Sequence, residues 1–170
     1  MALAGALVAG AAGGQLAPSR DVRSVFLVAK SENRNQVHYG LRVDAGCAPL
    51  GDEPVYAYWR MLERGPLATE PLLAIERPAY GFAEQLRLER GERGGAVRVR
   101  LAAMPDRPIV VQSAVRDGVC AASTATTIAG VPASLESVFV QLRWPFGVAH
   151  MIVAGRALAD GRELRERIAR

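Results

Sequence analysis

The sequence predicts an all-β fold: a single-domain antiparallel β-sandwich or barrel of about eight or nine strands, with a lipocalin-like barrel as one form open to it. Three observations lead there. Apolar residues alternate with polar ones over strand-length windows, turn residues interrupt those windows at spacings of about ten, and no long amphipathic helix lies between them. A parallel α/β arrangement needs long crossover connections, so the same pattern disfavours it.

The elements follow in order. Residues 1–14 form an uncharged Ala/Gly/Leu run with small residues around Ala9-Gly10-Ala11, which resembles a secretory signal that is removed on export. The run is shorter than the roughly 20 apolar residues of a membrane-spanning helix. It lacks the usual preceding positive charge, so a flexible Ala/Gly arm on a cytosolic protein is the competing reading. Residues 22–168 are then the single β domain, periplasmic or secreted if the signal is real.

Within that domain, residues 25–30 and 36–43 flank a polar turn and are expected to pair across it. Val37, Tyr39, Leu41 and Val43 share one face by alternation, leaving Gln36, His38 and Arg42 on the other, where His38 is expected to be exposed. Residues 55–62 make an aromatic strand with Trp59 on one side and Tyr56 and Tyr58 on the other. A hairpin turns at Gly91-Glu92-Arg93-Gly94-Gly95, with Leu86, Leu88, Val97, Val99 and Leu101 directed to the core and Arg87, Glu89, Arg98 and Arg100 to water. A second hairpin runs over 108–128 through Asp117-Gly118, a pair suited to the positive backbone angles of a tight turn. Strands over 135–143 and 148–155 come next, and after Asp160-Gly161 the charged tail 162–170 is a last strand or a short helix.

Composition narrows the chemistry. The chain has one lysine and two asparagines among 20 arginines, and all three lie in Lys30-Ser31-Glu32-Asn33-Arg34-Asn35. Asparagine closes turns by bonding its own backbone, so the cluster is either a structural turn or a ligand- or partner-facing one. All four tyrosines fall in the first half, near Trp59; aromatic surface beside polar groups suits a core and a binding pocket alike. The candidate site is therefore Lys30, Asn33, Asn35, Tyr39, Tyr58, Trp59 and Tyr80.

Cys47 and Cys120 are candidates for a disulfide, with two buried thiols as the alternative. They show no zinc spacing with the two histidines, and His150, set among Val148, Ile152 and Val153, is expected as a sheet residue. The net charge of +4 comes from arginines interleaved with acids, a solvated mixed-charge face and not a nucleic-acid patch. There is no GxSxG elbow, and the glycine turn lacks the lysine and hydroxyl of a phosphate loop. No catalytic residue, metal or cofactor is assigned.

The stretches Phe26-Leu27-Val28-Ala29-Lys30-Ser31-Glu32-Asn33-Arg34-Asn35-Gln36-Val37-His38-Tyr39, Pro54-Val55-Tyr56-Ala57-Tyr58-Trp59 and Ile75-Glu76-Arg77-Pro78-Ala79-Tyr80-Gly81 resemble the bacterial family known as domain of unknown function 4833. The likeness continues weakly through Phe139-Val140 and the segment from Asp160 to Glu166. It implies a small, often exported protein with no assigned activity, and it makes the seven candidate residues the place to look for a shared site. The function expected is binding of a small apolar or amphipathic ligand, or of an envelope component. A partner-binding or structural envelope module is the alternative, and a hydrolase-type enzyme stands behind both.

Overall fold

The computed structural model describes residues 20–91, 93–143 and 147–169. Residues 1–14, expected to be signal-like, lie outside them. The described chain builds one large sheet of eleven strands: β1 Arg20–Lys30, β2 Gln36–Val43, β3 Val55–Arg60, β4 Thr69–Pro71, β5 Phe82–Gly91, β6 Gly94–Leu101, β7 Met104–Arg116, β8 Val119–Ile128, β9 Val131–Arg143, β10 Gly147–Ala157 and β11 Glu163–Ala169. The only helical turns among the described residues, Ala74–Glu76 and α1 Arg77–Tyr80, sit between β4 and β5. The all-β expectation holds, with more strands than the periodicity resolved. The extra ones are the three-residue β4 and the charged tail, which is strand β11.

β9 organises the sheet. Its first residues pair antiparallel with β8 (Thr126↔Ala133), its later ones pair parallel with β1 (Leu27↔Ser137), and its other edge carries β10 and then β11. One wing runs outward from β1 through β2 and β3 to β4, the other from β8 through β7 and β6 to β5. Tight turns set the meander. Asp117-Gly118 joins β7 to β8 with both φ positive (50° and 76°), and Ala129-Gly130 does the same for β8 and β9 (51° and 77°).

The core is the set of inward positions of both wings. Phe26, Val28, Val37, Tyr39, Leu41, Val43 and Val55 pack with Val97, Val99, Leu101, Ile109 and Val111. Arg98 and Arg100 stay out of it, their side chains 34% and 33% exposed. The expectation for Leu86 and Leu88 is corrected: they are 42% and 43% exposed. Pairing of Leu86 with Arg98, and of Arg87 with Val97, places the leucines on the outer face and Gln85 and Arg87 on the inner one. Polar residues face inward there because β5 ends its wing, where it meets the opposite wing's edge.

That edge is closed by side chains. Among the described residues the backbone ladder does not form a complete barrel, since β4 and β5 have no strand partner on their outer sides. Instead Gln85 Oε1 accepts from the Val55 N–H (3.1 Å) while its Nε2 donates to the Val55 carbonyl (2.9 Å), so one carboxamide stands in for a neighbouring strand. Arg87 donates to the Gly51 carbonyl beside it. The wings are also joined covalently by a disulfide between Cys47, after β2, and Cys120 in β8, with α-carbons 5.5 Å apart.

Candidate functional site

The turn between β1 and β2 brings five of the seven candidate residues together. Asn33 Oδ1 accepts from the Asn35 N–H (3.1 Å), a local turn of the kind asparagine makes for itself. Asn35 is buried and pairs reciprocally with Glu63 in the β3–β4 connection: Oδ1 accepts from the Glu63 N–H and Nδ2 donates to Glu63 Oε2, both at 3.3 Å. Lys30 extends over the Trp59 ring, 5.3 Å from its centroid, with Nζ 3.4 Å from Glu32 Oε2. Trp59 Nε1 donates to Glu76 Oε2 (2.9 Å), and Tyr80 meets the indole edge-on at 5.3 Å. Burial, with Glu32 and Glu76 nearby, raises the Tyr80 phenol's pKa.

Lys30, Asn33, Asn35 and Trp59, with Glu70 and Glu76, line a small cleft of about 180 Å³. Sequence reading missed the glutamates; the one available signal was Pro78 after Arg77, which marks a helix start at the Glu76 end. The other two candidates lie elsewhere. Tyr39 is in the core, stacked on Phe26 at 4.3 Å, with its hydroxyl donating to the Tyr80 carbonyl at 2.7 Å, and burial drives its pKa upward. Tyr58 is on the opposite, outer face of β3, 5.8 Å from the Tyr56 ring. The sheet divides the aromatic cluster.

On that outer face His38 is only 3% exposed, which corrects the expectation of a solvated histidine. The cause is a tyrosine roof. The Tyr56 ring fills the space above Gly40, where an added Cβ would fall 2.6 Å from it, and Tyr58 tilts against the imidazole at 5.8 Å. His38 Nδ1 lies 2.6 Å from Ser24 Oγ and Nε2 lies 2.9 Å from Gln36 Oε1. Burial, then the Arg60 charge, lowers its pKa to about 4.

A larger concavity lies elsewhere, between the β7–β8 hairpin and the β10–β11 hairpin. It measures about 950 Å³ and is lined by Met104, Pro105, Pro108, Val110, Ala125, Met151 and Ile168. One ion pair crosses it: Arg107 Nη2 is 2.7 Å from Glu166 Oε1, while Glu166 Oε2 accepts from the Ala129 N–H at 2.8 Å. The hydrogen bond from Arg107 holds the Glu166 pKa low. Among the described residues no group of three or more His, Cys, Asp or Glu is arranged to hold a metal. No helix of the described residues is long and apolar enough to cross a membrane.

A comparison with family models matches residues 26–167 to one described as Domain of unknown function (DUF4833). Neither the curated proteins nor the solved structures give a match.

Proposed function

This chain belongs to the DUF4833 family, and from that premise we propose that it is a binding module holding an amphipathic small molecule between its β7–β8 and β10–β11 hairpins. The observation that carries the reading is the cleft of about 950 Å³, whose Met104, Val110, Met151 and Ile168 surface is accompanied by Asp106, Thr126, Thr127 and the Arg107–Glu166 pair. Small-molecule sites have this make-up, with apolar area for affinity and a few polar groups for orientation, in roughly 300–1,000 Å³. Native mass spectrometry of the protein after exposure to a lysophospholipid and fatty-acid mixture tests it. Retained ligand that is lost in Val110→Glu and Ile168→Glu at unchanged melting temperature supports the proposal. No retained ligand, or retention indifferent to both substitutions, refutes it.

A second reading, docking of a protein partner at the Lys30–Trp59 cleft, is favoured by a different observation. The connection from β3 to β5 exposes Leu67 (89%), Ile75 (85%) and Leu73 (62%), and Leu73 itself lines that cleft. Exposed apolar residues grouped beside polar ones suit a docking surface. Replacing Asn33 by Ala and Lys30 by Met, with the buried Asn35 kept, separates the roles: lost binding to an envelope extract with unchanged stability supports docking. A lower melting temperature with binding intact leaves a structural turn.

Export belongs with either reading, supported by the disulfide, since such bonds persist outside the reducing cytosol. Cell fractionation with intact-mass analysis tests it; retention of residues 1–14 on a cytosolic protein refutes it.

A further inference from the structure

Ser24 occupies an unusual place. It lies in the irregular part of β1, where the register with β2 slips between Val22 and Phe26, and its φ is 61°. Only a few per cent of non-glycine residues take positive φ, and such strain gathers where a side chain must be aimed. β-Bulges re-aim side chains in the same way. What the irregularity achieves here is to bring an exposed hydroxyl to 2.6 Å from His38 Nδ1. With Gln36 Oε1 at 2.9 Å from Nε2, that nitrogen carries the ring's hydrogen, because a carboxamide oxygen only accepts. The Nδ1 lone pair is then free to take the serine proton.

We infer that Ser24 is an acyl-accepting nucleophile, with His38 as its general base and Gln36 as the residue that fixes the imidazole tautomer. The order is hydroxyl, imidazole, orienting oxygen, the arrangement that activates serine in acyl transfer. Burial under the tyrosine roof, then the Arg60 charge, keeps the imidazole neutral at neutral pH, and the same two effects disfavour the imidazolium that proton transfer forms, so the base is a weak one. A cleft of about 330 Å³ on the same side of β3 is lined by Tyr56, Tyr58 and Pro71 with Asp21, Arg42 and Glu70; Ser24 and His38 lie beside it and not in its lining, the His38 ring 5.8 Å from that of Tyr58. The substrate class is therefore an ester whose apolar or aromatic part lies against the two tyrosines.

The step balances without a further reagent. Ser24 Oγ attacks the ester carbonyl carbon as its proton passes to Nδ1. The carbon–oxygen bond to the alcohol breaks, and the alcohol leaves with that proton. Water then adds to the acyl-serine, giving its proton to Nδ1, and Ser24 Oγ leaves as the hydroxyl while the carboxylic acid departs. Gln36 orients the ring but brings no negative charge to a transient imidazolium. Turnover is accordingly slow, and the covalent adduct is the sensitive readout.

The experiment incubates the full chain with a fluorophosphonate and with p-nitrophenyl acetate, then locates adducts by intact mass and peptide mapping. The expected result is one adduct on Ser24, none on the exposed Ser123, complete loss in Ser24→Ala, and a labelling rate lowered about 100-fold in His38→Gln. Because His38 is buried, Gln36→Leu serves as a second variant, expected to slow labelling while the protein stays folded by circular dichroism. A folded wild type that takes no label overturns the proposal. So does equal labelling of Ser123, or a Ser24 labelling rate indifferent to both the His38 and Gln36 substitutions. None of these outcomes bears on the cleft between the β7–β8 and β10–β11 hairpins.

Discussion

Between pH 6.5 and about 4 an unfolded chain takes up a proton on His38 that the folded protein refuses, because burial and Arg60 lower the folded pKa to about 4. The unfolded state binds more protons throughout that window, so stability rises with pH across it. The His38 contribution is complete above pH 6.5 and is lost as the pH falls toward 4. Melting temperatures measured from pH 7 to pH 4 are expected to fall, and His38→Gln, where it folds, is expected to flatten that slope. Asn35 makes a separate case. Its side chain answers both the backbone N–H and the carboxylate of Glu63, which is exposed, so Asn35→Ala removes two bonds that water can partly replace and costs about 1–1.5 kcal/mol by denaturant titration. Asn33→Ala removes a single local bond and is expected to cost under about 1 kcal/mol. The sequence marked both asparagines as special for the same reason, scarcity, yet only packing against a distant loop distinguishes them.

Strands were more legible than the faces they present. Alternation in 97–101 identifies a buried and an open side, and the pairing with β7 confirms it, because β6 has neighbours on both edges and lies over the core. In β5 the same alternation misassigns the leucines, since periodicity fixes that successive side chains oppose one another but not which set faces inward. That choice is made by the opposite wing, through Gln85 and Val55, which no local pattern reports. The expected contrast is direct: Val99→Ala costs about 2 kcal/mol, whereas Leu88→Lys changes stability by under about 0.5 kcal/mol, as judged by urea titration. Gly155 is another position set by its partner strand. An added Cβ would lie 1.9 Å from the Ser134 carbonyl oxygen, so Gly155→Ala is expected to yield little folded protein, read as loss of the soluble fraction and of the cooperative melt.

For the molecule as a whole, the disulfide spans a loop long enough that reduction, or Cys47→Ser with Cys120→Ser, is expected to lower stability by roughly 2–4 kcal/mol and the melting temperature by roughly 5 to 15 °C. The candidate residues were only partly legible at this scale. Five of them meet because two connections close on the Trp59 side of β3, while strand alternation puts Tyr58 on the other face and Tyr39, on the same face as Trp59, is packed into the core. The large cleft was not legible at all, since its lining runs from Met104 to Ala169 and no short window contains it. The parallel pairing of β1 with β9 has a consequence in time. Leu27 cannot meet Ser137 until most of the chain has been synthesised, so β1 waits with one edge unpaired while the rest forms. Long-range pairings of this kind slow folding to milliseconds or seconds, and refolding followed by tryptophan fluorescence is expected on that scale. During the wait the bare edge beside Phe26 and Val28 is a template for strands of other chains.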